Sequence, residues 1–163
     1  MGMNRALGAL AALAMLVIDQ GHKYWMLYWF DITNQQPVAI GPWLDLVLAW
    51  NPGISYSLFS ATTDTGRMLL LGATLLAIAA LAVWLWRAKS LMLSLALGLI
   101  IGGALGNAYD RFEYGAVADF FLFHIGTFSW YIFNLADCGI VAGVAILLYE
   151  TMMAKPAADN SRA

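Results

Sequence analysis

The chain has 163 residues, 62% of them hydrophobic and only 11% charged, and its mean hydropathy is +0.73. That balance excludes an ordinary water-soluble domain and makes lipid the expected solvent. A net charge of −2 says little about nucleic acid, but no basic cluster or recognition motif points to such a partner, and the lone cysteine, Cys138, excludes an internal disulfide.

In chain order, the first expected span runs over about 5–27, from Arg5 through ALGALAALAMLVI into DQGHK. Its basic, apolar start imitates a secretion signal. It lacks a clear cleavage site, so it is read as a retained span. Asp19 and Lys23 interrupt it at i, i+4 spacing with the acid first, which favours a helical ion pair. A structural clamp is the plainer reading; a catalytic lysine would need a serine such as Ser55, Ser57 or Ser60. The outer segment, about 28–65, holds short apolar runs broken by Pro and Gly in PVAIGPWLDLVLAW, a pattern that suits a small sheet resting on the membrane. NPGISYS within it reads as a turn, in which Asn51 and Gly53 can bring backbone amides to a peptide.

Spans two and three, about 68–86 and 90–109, carry no charge and are joined by the short turn RAKS, so they form a hairpin. The third ends in GGALGNAYDR. Gly102 and Gly106 suit close helix packing, while Asn107, Asp110 and Arg111 need polar partners. A second outer segment, about 110–130, carries Asp119. The last span, about 131–153, begins with FNLAD, which holds Asn134 and Asp137. The fold class is thus an all-α membrane protein: four transmembrane helices with a small β-like outer subdomain. Residues 1–154 form one domain and 155–163 a cytoplasmic tail. Arg5, Arg87, Lys89, Lys155 and Arg162 fall on one side, which places both termini in the cytoplasm. Trp25, Trp29, Trp43, Trp50 and Trp130 lie in or beside the outer segments, as interface residues should.

Depth follows from helix rise. Asp19 lies about 21 Å from the inner face and Asp137 about 20 Å, so both reach one layer below the outer surface. A charge in hydrocarbon costs at least about 3 kcal/mol, so these acids are expected to be paired, wet or functional. Asp119 and Asp137 are too far apart in sequence for one helical face. If FFLFHIGTFSW folds back to join them, one pKa rises and the pair shares a proton, which suits activation of water. The alternative pairs each acid with Lys23 or Arg111. His22 and His124 lack a metal-binding spacing, and Cys138 reads as a packed thiol on the wrong face for chemistry. A proton-coupled carrier using Asp19, Asp110 and Asp137 is a further alternative, though no inverted repeat is visible. So is a structural or chaperone protein that binds partner helices through its glycines.

Taken together, DQGHK, NPGISYS, GGALGNAYDR, VADF and FNLAD, in this order on four spans, resemble the lipoprotein signal peptidase family, the bacterial type II signal peptidases. The resemblance covers about residues 6–148. It implies an intramembrane aspartic endopeptidase with Asp119 and Asp137 as the catalytic dyad. The matching supporting residues are Asp19, Lys23, Asn51, Gly53, Asn107, Asp110, Arg111 and Asn134. The implied substrate is a prolipoprotein whose lipobox Cys carries diacylglycerol, cut just before that Cys. No metal or organic cofactor is implied. The implied setting is the bacterial inner membrane, with the site near the periplasmic face. Globomycin, a cyclic peptide antibiotic, is the implied inhibitor, and a monomer suffices. His22, Ile54 and Tyr56 depart from the usual pattern beside the matched residues.

Overall fold

A computed structural model describes residues 2–53 and 63–153. Ser55, Ser57, Ser60, Ile54, Tyr56, Lys155 and Arg162 lie outside the described residues. The elements in order are helix α1 (Met3–Tyr24), a π-helical turn (Trp25–Trp29), α2 (Ile32–Gln35), strands β1 (Val38–Ala39) and β2 (Leu44–Asn51), α3 (Asp64–Arg87), α4 (Leu91–Glu113), β3 (Val117–Ile125), β4 (Phe128–Phe133) and α5 (Leu135–Met153).

Local chemistry sets the ends of the long helices. Thr63 caps α3 by accepting the Gly66 N–H at 3.1 Å, and Asp64 in the first turn complements the helix dipole. Ser90 caps α4 by accepting the Leu93 N–H at 2.9 Å, which turns RAKS into a tight hairpin. At the same end, Asn4 donates to the Lys89 carbonyl at 2.8 Å. Arg5, Arg87 and Lys89 therefore share one end of the bundle.

Helix α4 is the central helix, packed against α1 on one face and α5 on another, with α3 alongside. Its glycines allow this. A Cβ at Gly98 would collide with the Gly8 carbonyl of α1, and one at Gly103 with the Ala136 carbonyl of α5. Backbones meet where side chains would otherwise stand, a packing mode suited to lipid. By contrast, α3 buries only Leu71 and leaves side chains such as Leu69 and Leu76 exposed, as expected for a helix facing lipid.

Among the described residues, three helices suit a membrane crossing by length and composition: α3, α4 and α5. The sequence reading counted four spans. Helix α1, at 22 residues, matches them in length, but Asn4 and Arg5 at one end and Asp19, Gln20, His22 and Lys23 at the other shorten its apolar stretch.

The strands form one antiparallel sheet in the order β1-β2-β3-β4. The expected sheet in residues 37–50 is present, but it is larger than expected, because residues 117–133 supply β3 and β4. The all-α class is corrected to mostly helical with a four-stranded sheet. The last helix also starts later than the expected 131. Tyr131–Phe133 belong to β4, where Phe133 pairs with Phe121 and Ile132 with Leu122. Along β3, Ala118 and Phe120 enter a buried cluster with Met26, Ile32 and Leu46. Side chains alternate across a strand, so Val117 and Asp119 are turned to the opposite face, toward the helices.

Candidate active site

Asp137 occupies the third position of α5, and its neighbours explain why a carboxylate sits there. Asn134 precedes the helix and accepts the Asp137 N–H on Oδ1 at 3.0 Å. Asp137 Oδ2 reaches back to the Asn134 N–H at 3.4 Å. This is a reciprocal capping box, and the helix N-terminus favours its negative charge. The acid that interrupts the apolar run thus begins the helix.

Asp119 arrives from β3. Asn134 Nδ2 donates to Asp119 Oδ1 at 2.6 Å, and Asn51 Nδ2 donates to its Oδ2 at 3.3 Å. A register shift in β2 between Leu46 and Ala49 sets Ala49 opposite Asp119 and Asn51 opposite Val117, so Asn51 reaches Asp119 diagonally. Asn107 of α4 donates to Asp137 Oδ1 at 2.9 Å and accepts from Asn134 at 3.2 Å. Asn134 therefore touches both acids, and Asn107 locks Asn134 to Asp137.

Both carboxylates line a cavity of about 330 Å³ between α3, α4, α5 and the sheet, with Asn51, Asn107 and Arg111 among its other walls. Among the described residues, neither acid is in an ion pair. Burial pushes the Asp119 carboxyl up to about 7, the Asp137 charge adds to the rise, and the amides of Asn134 and Asn51 oppose it. The arrangement can hold one proton between two acids beside a space large enough for a peptide bond and water.

A second polar cluster stands behind this cavity. Lys23 lies 2.8 Å from Asp19 and 2.7 Å from Asp110, all three fully or nearly buried. The expected i, i+4 pair is thus present and gains a third member from α4. Lys23 also donates to Asn107 Oδ1 at 3.3 Å, which joins the two clusters.

Arg111 forms no ion pair among the described residues. It donates to the Asn107 carbonyl at 3.2 Å and to the Gly53 carbonyl at 2.8 Å. Among the described residues, the alternative pairing of Asp119 and Asp137 with Lys23 or Arg111 is not made as a direct contact: Lys23 meets Asp19 and Asp110, and Arg111 meets two carbonyls while sharing the cavity wall with both acids. The Gly53 amide, expected to face a peptide, instead donates to Asn51 Oδ1 at 3.0 Å. It is Gly53's carbonyl, held by Arg111, that ties the turn to α4.

The histidines lie apart. His22 packs against the rings of Phe120 and Phe121, while His124 lies 3.2 Å from Asp45 on the sheet. Among the described residues, no group of three His, Cys, Asp or Glu side chains could hold a metal ion. Cys138, expected as a packed thiol, is exposed and borders an apolar opening with Phe123, Trp130 and Phe133. One polar residue was missed. Gln20 donates to Asp19 and to Asp110, and its only signal in the sequence was its place beside Asp19.

Comparison with known proteins agrees with this picture. The chain matches the model of a family described as signal peptidase (SPase) II over residues 11–153. It is 59% identical over 148 residues to a lipoprotein signal peptidase of Methylocella silvestris, covering 91% of this chain and 86% of that one. The lipoprotein signal peptidase of Beijerinckia indica is 55% identical, covering 94% of this chain and 92% of its own. A solved bacterial membrane enzyme, determined by the in meso method, shares the fold with a TM-score of 0.77 at 21% identity, over 97% of this chain and 94% of that one.

Proposed function

The chain belongs to the signal peptidase II family, and we propose that it is a membrane aspartic endopeptidase that removes signal peptides from diacylglyceryl-modified prolipoproteins, cutting before the lipidated lipobox Cys. One observation carries this reading: Asp119 and Asp137 share Asn134 at the wall of one cavity, and among the described residues no cation forms an ion pair with either. Membership of a peptidase family favours hydrolysis over proton-coupled transport.

In this reading the pair enters the cycle with one proton, held on Asp119, whose carboxyl is pushed up to about 7. Asp137 takes a proton from water as the water oxygen bonds to the scissile carbonyl carbon. Asp119 gives its proton to the carbonyl oxygen, forming a tetrahedral diol. Collapse breaks the C–N bond. Asp137 passes its proton to the departing amine of the lipidated Cys, and Asp119 recovers one from a diol hydroxyl. Asn51, Asn107 and Asn134 hold the carboxylates in place through the cycle. Asp19, Lys23 and Asp110 support them from behind, and Arg111 with Gly53 holds the turn that carries Asn51.

The family and the apolar helices make this a bacterial membrane protein. We place α1 as a fourth span, because Asp19 and Lys23 are buried against α4 rather than turned to lipid. Arg5, Arg87 and Lys89 at one end favour cytoplasmic termini in the inner membrane, with the site near the periplasmic face. The sheet and the exposed Trp29, Trp43 and Trp130 then rest on the bilayer. The outer aromatic segment, about Tyr28 to Trp50, clamps the lipidated peptide there, and globomycin blocks the dyad. One chain supplies every residue of the site, so a monomer suffices.

The test uses the purified wild type, Asp119→Asn and Asp137→Asn in detergent, each given a diacylglyceryl-modified prolipoprotein. Both variants should bind substrate and lose cleavage by at least about 10³-fold. A variant that still cleaves at near wild-type rate would remove that acid from the dyad.

A further inference from the structure

Gln20 is half-buried on α1, outside the residues assigned above, yet its amide lies at a junction. Its Nε2 lies 3.1 Å from Asp19 Oδ2, 2.9 Å from Asp110 Oδ1 and 3.1 Å from the Gly106 carbonyl. Each of those two carboxylates holds one further backbone group. Asp19 Oδ1 accepts the Ala136 N–H at 2.9 Å, and Ala136 immediately precedes Asp137. Asp110 Oδ2 accepts the Ala118 N–H at 3.1 Å, and Ala118 immediately precedes Asp119. A continuous path thus runs from β3 to α5: Ala118, Asp110, Gln20, Asp19, Ala136. Its two ends are the backbone positions that carry the dyad.

Lys23 bridges the same two carboxylates, but the two bridges differ in what they fix. The ammonium meets Asp110 on Oδ2, the oxygen that also holds Ala118. A carboxylate held on one oxygen can still turn about its Cβ–Cγ bond. Gln20 holds the other oxygen, Oδ1, so Asp110 is gripped on both sides and its plane is set. Lys23 supplies the charge, and Gln20 supplies the orientation.

We propose that Gln20 is a positioning residue for peptide cleavage: by tying Asp110 to Asp19 it sets the separation of Asp119 and Asp137. The proposal rests on the dyad reading above. A displacement of about 1 Å in a reacting group can cost about 10²-fold in rate, so a remote tie of this kind has a measurable effect. Gln20 also borders a separate opening of about 350 Å³ with Tyr24, Tyr109 and Tyr114. A substitution there has room and does not force the helix contact to repack.

The experiment compares the full-length wild type and Gln20→Leu in detergent. It measures kcat, KM and the pH profile of kcat with the lipidated prolipoprotein, together with thermal unfolding. Asp119→Asn and Asp137→Asn are run alongside. Gln20→Leu should lower kcat about 10- to 100-fold with KM within about twofold. The loosened pair should repel less, so the high-pH limb of its profile should move to lower pH. Unchanged kcat and limb would overturn the positioning role while dead Asp→Asn variants kept the dyad intact. A lowered unfolding temperature with an unmoved limb would also overturn it, reducing Gln20 to a structural tie. Active Asp→Asn variants would remove the dyad and this proposal together.

Discussion

Two pairs of aspartates stand side by side at one end of this bundle, and they differ in what accompanies them. Asp19 and Asp110 share Lys23 between them, and Gln20 and two backbone amides complete their hydrogen bonds. Asp119 and Asp137 have neutral asparagine partners and an open cavity. The first pair shares one counter-charge and has its hydrogen bonds filled, so it behaves as a clamp. The second keeps unspent charge and room for a reactant, so it is suited to chemistry. The same side chain becomes structure or site according to whether a cation is in direct contact with it.

Removing that cation should break the contrast most severely. Lys23→Met leaves Asp19 and Asp110 buried against each other with no counter-charge. A broken buried pair costs about 3–5 kcal/mol, so the variant should unfold in detergent under conditions the wild type survives. Asp119→Asn and Asp137→Asn should remain folded under those same conditions. A Lys23→Met protein as stable as the wild type would show that the clamp carries little of the fold.

A smaller effect should come from Gly106. A Cβ there would collide with the Asp19 carboxylate, whereas one at Gly21 meets nothing within 4 Å. Gly106→Ala should destabilise by about 1–3 kcal/mol through crowding and slow cleavage with it. Gly21→Ala, inside the same α1, should stabilise by about 0.5–1 kcal/mol. Equal effects of the two in a denaturant titration would mean that Gly106 is not a contact point for Asp19.

The bundle's inner frame was largely legible from sequence. Uncharged runs between charged turns located α3 and α4, and the i, i+4 spacing of Asp19 and Lys23 gave a real ion pair. The sheet was harder to read. FFLFHI and FSWYIF are apolar and aromatic throughout, and such runs fit a strand or a membrane helix equally well. That is why Tyr131–Phe133 were read as helix. The meeting of Asp119 and Asp137 could not be read from spacing, because it depends on a hairpin that turns at Gly126, with φ +59°, and returns the chain to the start of α5. Gln20 was missed for a related reason: its second partner, Asp110, is 90 residues away. The motif resemblance supplied Asp119 and Asp137 together, where local periodicity could not.

The last distinction between the pairs is in pH. The Asp119 carboxyl is pushed from its usual 3.8 up to about 7, chiefly by burial and then by the charge of Asp137. The folded protein therefore holds this proton more tightly than the unfolded chain does. Between about pH 4 and about pH 7 the folded state binds more protons, so stability should fall as pH rises through that window and level off above it. Asp119→Asn removes the titrating group. Its unfolding temperature should lie closest to the wild type near pH 4, and its relative stability should improve up to about pH 7. Cleavage by the wild type should also decline above about pH 7, as the shared proton is lost. Asp110→Asn breaks a contact with Lys23 instead and should lower stability at pH 8, opposite in sign to the gain from Asp119→Asn. Thermal unfolding of the three proteins across pH 4–8 reads both effects at once. If the gap between the wild type and Asp119→Asn does not change with pH, the strained proton is not on Asp119, and the division of labour between the two pairs must be drawn differently.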